Sequence, residues 1–476
     1  VVEVLTAAAA EESQRRAAGA LWVAGLGPGD RVAFCLPSSA GLLCAVLGAL
    51  RTGVVPVLLN ATLTDGERDL LIGDAEPGLV VTDADRLAQL DLGSPVDLAP
   101  YPLSRPMHYT SGTTGRAKGV WAGVWDAATA EEAFTDEADL WSFGPDDVHL
   151  VCSPMYHSVS IRFAAGTLLR GGTCAILSRF DAGLAYEVLR GGHGPTPTTT
   201  FMAPAALARL LAFRDRAEST AGGETVPAGE TVPAGETVPA GETRGFPSLR
   251  LLVHAGSPCP PALKRAAMEQ VGPDVLWEFY GSTEGQFTVC SPSEWSARPG
   301  TVGRARPGRT LSVDADGTIW CRPPDFARFS YWRDEPKTAS AWRDGAFTVG
   351  DLGRLDDEGY LFIDGRRHDL IITGGVNVYP AEVEALLGEI PGVAEVAVYG
   401  VVDEQWGQRV CAAIVPVAVD ALDESGREEL AHAAAEYAAS RLAGYKRPKQ
   451  WVVVDELPRT ATGKLQRHRL AGAGPR

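Results

Sequence analysis

Strand-then-helix segments repeated along the first three hundred residues, a later switch to short strands parted by turns, and a compact final unit predict an α/β protein. Its large N-terminal domain, residues 1–364, is expected to hold parallel sheets flanked by helices plus a β-ribbon subdomain. Residues 365–476 are expected to form a small α+β C-terminal lobe. Ala7–Val23 reads as a helix, Arg31–Leu36 as a strand, Gly41–Leu50 as a helix and Val54–Leu59 as a strand. Glu67–Asp74 then reads as helix and Leu79–Thr82 as strand, and the alternation resumes from His149 to Leu252 and from Gly256 to Phe279. Beyond about residue 303 the turn signals Asp316-Gly317, Asp344-Gly345 and Asp357-Glu358-Gly359 mark ribbons. The lobe begins at Asp364-Gly-Arg-Arg-His368 and carries helix Pro380–Leu387, strands Ala394–Tyr399 and Val410–Val417, and helix Ser425–Arg441.

At 476 residues the chain exceeds what one core organises, and 45% apolar with 22% charged residues is an ordinary globular composition. The formal charge of −17 excludes the basic field of a nucleic-acid or membrane-surface binder. A site for a polyanion must therefore be built from local donors. Lysine is scarce, six against 37 arginines, so each lysine is a candidate for a specific task. The eight cysteines show no metal-ligand spacing and read as reduced core residues of a cytosolic enzyme. The start, Val1-Val2-Glu3, has no basic n-region, and the apolar stretch Ala40–Leu50 stops at Arg51, too short to span a bilayer. A cytoplasmic protein is expected.

Residues 224–241 are three copies of Glu-Thr-Val-Pro-Ala-Gly. With Pro and Gly in every copy and little to bury, the segment 222–243 reads as a surface loop between a helix and the strand Leu249–His254.

Chemistry concentrates in a few short stretches. Tyr109-Thr-Ser-Gly-Thr-Thr-Gly-Arg-Ala-Lys118-Gly puts hydroxyls among glycines and ends on a lysine, a composition that suits polyphosphate. It is not a Walker A loop, because Gly119 follows the lysine, and taken alone it also fits a solvated loop. Ala255-Gly256-Ser257-Pro258 follows a strand and would let a flat ring approach the backbone. Glu278-Phe-Tyr280-Gly281-Ser282-Thr283-Glu284-Gly285 closes the next strand with an aromatic, hydroxyls and a carboxylate, suited to base stacking and metal-phosphate binding. Asp351 in TVGDLG and Arg366 in DGR suit ribose hydroxyls. A structural turn explains each piece singly about as well.

The ordered set YTSGTTGRAKG, AGSP, YGSTEG, TVGDLG, DGRRHDLIITGGVNVYPAEVE and PRTATGKLQR resembles the adenylate-forming (ANL) superfamily, and more closely its acyl- and aryl-CoA ligases. The resemblance covers the chain from about residue 15 and implies a mobile C-terminal lobe with ATP, Mg²⁺ and CoA as cofactors. It implies that Thr110, Ser111, Gly112, Thr113, Thr114, Gly115 and Lys118 hold the β- and γ-phosphates. Glu284 would hold Mg²⁺ and Thr283 touch the α-phosphate, with Gly281 and Ser282 in the same turn. Ala255, Gly256, Ser257 and Tyr280 would enclose adenine, while Asp351, Ile363 and Arg366 would bind the ribose side. Lys464 would bridge the substrate carboxylate and the α-phosphate. A carboxylate attacking a phosphate anion is repelled by like charge, and a positioned ammonium with Mg²⁺ lowers that barrier.

Ser153-Pro-Met-Tyr156-His157-Ser158-Val-Ser160 carries no acid to hold an amino group, so a free amino acid is disfavoured. Instead it resembles the Tyr-His pair of CoA ligases, with Tyr156, His157 and Ser160 lining or gating the acyl pocket. The small residues around it suggest a hydrophobic or bulky carboxylic acid: medium or long acyl, aryl, or a polycyclic acid of secondary metabolism. Gly374 and Gly375 resemble the ligase glycines that let pantetheine pass. Eight basic side chains in the last 32 residues fit CoA phosphates and a solvated surface equally. His368 stands at the hinge position where this family usually has Asp or Lys. The expectation is an AMP-forming acyl-CoA synthetase; the alternatives are an enzyme that passes acyl-AMP to a thioester-forming partner or carrier protein, and a non-catalytic nucleotide-binding scaffold.

Overall fold

The computed structural model describes residues 2–110, 118–221, 245–366, 369–373, 376–403, 406–417, 419, 422–442, 444–459 and 465–472. The chain divides into two compact units, Val1–Arg309 with Pro323–Gly345, and Thr310–Arg322 with Ala346–Arg476.

The first unit is built on two sheets. Among the described residues one has eight strands, in the order Val2–Thr6, Thr173–Leu177, Val148–Val151, Thr199–Met202, Leu251–His254, Leu276–Gly281, Gln286–Cys290 and Arg304–Ala305. The five strands from Thr173–Leu177 to Leu276–Gly281 run parallel, as the helix crossovers between them require. The other sheet has six strands, in the order Ser330–Tyr331, Lys118–Trp121, Met107–Thr110, Val55–Leu58, Arg31–Phe34 and Leu79–Val81. The segment Ser330–Tyr331 thus returns from far along the chain to the edge beside Lys118.

Local chemistry explains the element ends. Thr6 caps helix Ala7–Val23 by accepting from the Ala9 N–H. Thr64 and Glu67 form a capping box that starts helix Asp65–Ala75 two residues before the sequence pattern does. Helix Ala40–Leu50 is buried on nearly all sides from Leu42 onward. It lies so close to helix Ala7–Val23 that a Cβ on Gly48 would come within 2.5 Å of the Gln14 carbonyl oxygen. No helix among the described residues is long and apolar enough to cross a membrane.

The second unit contains the antiparallel ribbon Asp351–Leu355 and Leu361–Arg366, a ribbon of Thr310–Val313 with Ile319–Arg322, and a sheet around the long pair Val393–Asp403 and Gly407–Pro416. Gln450–Val453 adds to that sheet in parallel, and helices Pro380–Leu387 and Glu424–Arg441 pack against it. The strand read from the sequence as Ala394–Tyr399 therefore runs four residues further, because its partner continues to Gly407.

Candidate active site

Thr110 ends one strand and Lys118 begins the next, and the two are register partners in an antiparallel pair. The interval between them, including Ser111, Gly112, Thr113, Thr114 and Gly115, lies outside the described residues. The Lys118 ammonium sits 5.3 Å from the centroid of the Tyr331 ring. Burial and nearby Lys337 hold its pKa below the ordinary lysine range, against the attraction of Glu284 and Asp334. Tyr331 also donates its phenol proton to Glu284 Oε1 at 2.9 Å. Burial and the Glu284 charge push that phenol well above its ordinary range. Lysine, tyrosine and carboxylate thus form one cluster from three distant segments. Tyr331 was not singled out from the sequence, since no spacing ties it to Glu284.

Glu284 is 7% exposed, and its N–H donates to Ser282 Oγ at 3.2 Å. The Ser282 N–H donates to the Gly285 carbonyl at 2.8 Å, closing the turn that aims the carboxylate. Gly281 is required there, because a Cβ would lie 2.7 Å from the Gly285 carbonyl oxygen. Thr283 is half-buried in the same turn. Among the described residues no donor reaches the second Glu284 oxygen, and no group of three or more potential metal ligands occurs. That suits Mg²⁺, which is commonly held by one or two carboxylates together with substrate phosphates.

His254 and Glu278 are register partners in parallel strands, so Ala255-Gly256 and Tyr280 leave the sheet at the same edge. Ala255 is buried, Gly256 has φ of +91°, and Ser257 is exposed. The Tyr280 ring rests on Phe287, with centroids 4.8 Å apart, while its N–H donates to Thr288 Oγ1 at 3.3 Å. Behind this edge lies a feature absent from the sequence reading. Lys264 forms a buried ion pair with Glu278, and His254 Nε2 is 3.7 Å from the same carboxylate. Burial raises the Glu278 pKa against the opposing pull of Lys264.

His157 caps helix Ser158–Leu169 without a side-chain capping bond, and its ring lies 4.5 Å from that of Tyr156. Burial lowers its pKa to about 4, so the imidazole is neutral. Ser160 is buried, and its hydroxyl donates to the Ser153 carbonyl at 3.1 Å. Ala164, Ala165 and Gly166 are also buried, and a Cβ on Gly166 would meet Phe143 at 2.4 Å, so these small residues serve packing. His108 Nδ1 lies 2.8 Å from the Tyr156 carbonyl oxygen, which can only accept; the strand Met107–Thr110 is thereby tied to the Tyr-His turn.

In the second unit, Asp351 is buried and is the register partner of Arg366, while Ile363 faces Gly353 across the same ribbon. His368, Gly374, Gly375 and Lys464 lie outside the described residues. The flanks of Lys464 are anchored: Arg459 and Leu465 form a β-bridge, and Arg467 pairs with Asp369 at 3.0 Å and Glu384 at 2.8 Å. Of the basic residues near the C-terminus, Lys446, Arg459 and Arg467 are each paired with a carboxylate, which weakens the cationic face read from the sequence.

Comparison with known proteins finds relatives along nearly the whole chain. Residues 2–100 and 106–324 match the model of the AMP-binding enzyme family, and residues 382–464 match that of the AMP-binding enzyme C-terminal domain. An indoleacetate–CoA ligase of Aromatoleum aromaticum is 30% identical over 498 aligned positions, covering 95% of this chain and 90% of that protein. A 2-succinylbenzoate–CoA ligase of Bacillus licheniformis is 32% identical, covering 96% and 92%. The solved o-succinylbenzoate coenzyme A synthetase of Bacillus subtilis, in complex with ATP and magnesium ion, is similar with a TM-score of 0.76 at 26% identity, covering 97% of this chain and 94% of that one.

Proposed function

We propose, from the premise that this chain belongs to the family of AMP-binding enzymes, that it activates a carboxylic acid with ATP to an acyl-adenylate and then transfers the acyl group to CoA. The observation that carries this reading is the meeting of Lys118, Tyr331 and Glu284 at the ends of the two phosphate-facing motifs. Lys118 brings an ammonium to the terminal phosphates. Glu284 brings the carboxylate that would hold Mg²⁺, with Tyr331 fixing its orientation. When bound, Mg²⁺ neutralises phosphate charge and so eases approach of the carboxylate nucleophile. Ala255, Gly256 and Tyr280 form the edge on which adenine rests, and Asp351 with Arg366 takes the ribose. Lys464 spans the reacting carboxylate and the α-phosphate, so it acts where charge develops in the transition state.

Residues 365–476 act as a lobe that moves between the half-reactions, with His368 at its hinge and Gly374 and Gly375 beside the pantetheine path. Tyr156 and His157 gate the acid. The free cysteines, mostly buried, suit a reducing cytoplasm. The test is pyrophosphate release across a panel of carboxylic acids, with and without CoA. Acid-dependent release in both conditions, with acyl-CoA only when CoA is present, is expected. Release without any thioester would overturn the second half-reaction.

A further inference from the structure

Between helix Ala127–Leu140, helix Ser158–Leu169 and the turn after Glu284 lies a charged network that the adenylation chemistry does not use. Arg306 is 1% exposed and pairs with Asp136 at 2.6 Å and Glu137 at 2.9 Å. Arg309 takes both Asp136 oxygens, at 2.6 and 2.8 Å. These two arginines already satisfy the two carboxylates. Among the described residues Arg162 has one 3.3 Å contact, to a Glu137 oxygen that Arg306 and Gln286 also share. Its Nε is buried with no hydrogen-bond partner among the described residues, and the side chain is 23% exposed. Arg105 donates, among the described residues, one hydrogen bond of 3.3 Å, to the Arg328 carbonyl. Its pKa is held down to about 10 by burial and by Arg162 and Arg309. Among the described residues these four guanidiniums have three carboxylates near them, Asp136, Glu137 and, acting on Arg105, Glu284, so positive charge is in excess until a further anion joins it.

Arg162 lies on the helix that follows the Tyr156-His157 turn, five residues after His157, which caps it. Its guanidinium carbon is 5.5 Å from the Phe279 ring centroid, one residue before Tyr280. Phe279 itself packs into the cluster that holds Val159 and Phe163. This face therefore presents an aromatic wall with a cation upon it.

We propose that the acid activated by this enzyme carries a second anionic group, and that Arg162 receives it as a specificity-determining residue. The inference rests on the ligase reading and narrows its substrate to an acid with two negative charges.

The test is pyrophosphate exchange with aliphatic and aromatic dicarboxylic acids, each against its own monomethyl ester, on wild type, Arg162→Met and Arg162→Lys. Wild type is expected to favour at least one diacid over its half-ester by about tenfold or more in kcat/KM, the cost of leaving a buried polar group unpaired. Arg162→Met should erase that preference through the KM for the diacid, with the KM for ATP unchanged, and Arg162→Lys should keep most of it. Half-esters used as well as diacids by wild type would overturn the inference while leaving the ligase reading intact. Equal loss of ATP and acid affinity in Arg162→Met would overturn it too. Absence of exchange with every acid would instead remove the ligase reading on which it rests.

Discussion

The phenol of Tyr331 donates a 2.9 Å hydrogen bond to Glu284 Oε1, and the same ring faces the Lys118 ammonium at 5.3 Å. One side chain therefore orients the carboxylate proposed to hold Mg²⁺ and the lysine proposed to hold phosphate.

Tyr331→Phe keeps the ring and removes the donor. A hydrogen bond to a charged group contributes roughly 1.5–3 kcal/mol, so the KM for MgATP should rise about tenfold, with a smaller fall in kcat. Tyr331→Leu, which also removes the ring from Lys118, should be worse. Steady-state pyrophosphate release at varied MgATP reads both, and an unchanged KM in the Phe variant would show the contact to be incidental.

Lys264 and Glu278 form a buried pair under the edge that carries Ala255 and Tyr280. Lys264→Met leaves the carboxylate buried without its cation, which typically costs about 3–5 kcal/mol. Adding Glu278→Leu should recover much of that loss. Urea denaturation of the two variants checks it, and a double variant no more stable than the single would refute the pairing argument.

Three buried histidines and the half-buried His157 make the fold acid-sensitive. Burial holds His108 and His149 at about 3 and His157 at about 4, and His254 well below its ordinary value. An unfolded imidazole titrates near 6.5, so below that pH the unfolded chain binds more protons than the native one. The stabilisation is full above about pH 6.5 and is lost as pH falls toward the folded values. His108, His149 and His157 should each cost about 2 kcal/mol between pH 7 and pH 5. His149→Gln should be less stable at pH 7 yet lose less stability on acidification. Parallel pH profiles for the variant and wild type would contradict this account.

Lys464 is proposed to act on the forming acyl-phosphate bond. Lys464→Ala should lower acid-dependent pyrophosphate exchange on the order of a hundred- to a thousandfold, a transition-state contact of about 3–4 kcal/mol, while ATP binding persists. Exchange above half the wild-type rate, with normal ATP affinity by calorimetry, would remove the residue from the reaction.

Gly375→Leu should separate the half-reactions. A bulky side chain beside the proposed pantetheine path should leave adenylate formation within about twofold and suppress thioester formation. Rapid-quench measurement of each step decides, and equal loss of both would make the glycine a backbone requirement of the lobe.

Local chemistry was legible in the chain alone. Period and turn residues located Ala7–Val23 and Pro380–Leu387 to the residue, and the ordered motifs led to the family before any contact was known. These signals are short-range: a cap, an amphipathic stripe or a glycine turn is set within a few positions. Tertiary structure decided the partners. Tyr331 reaches Glu284 across 47 positions, Lys264 reaches Glu278 across 14, and Arg306 reaches Asp136 across 170, each because sheet order brings distant strands and their flanking helices together. Composition could count the arginines but not pair them. Which guanidinium keeps an unpartnered nitrogen depends on burial and distance, so Arg162 could emerge only from the folded chain.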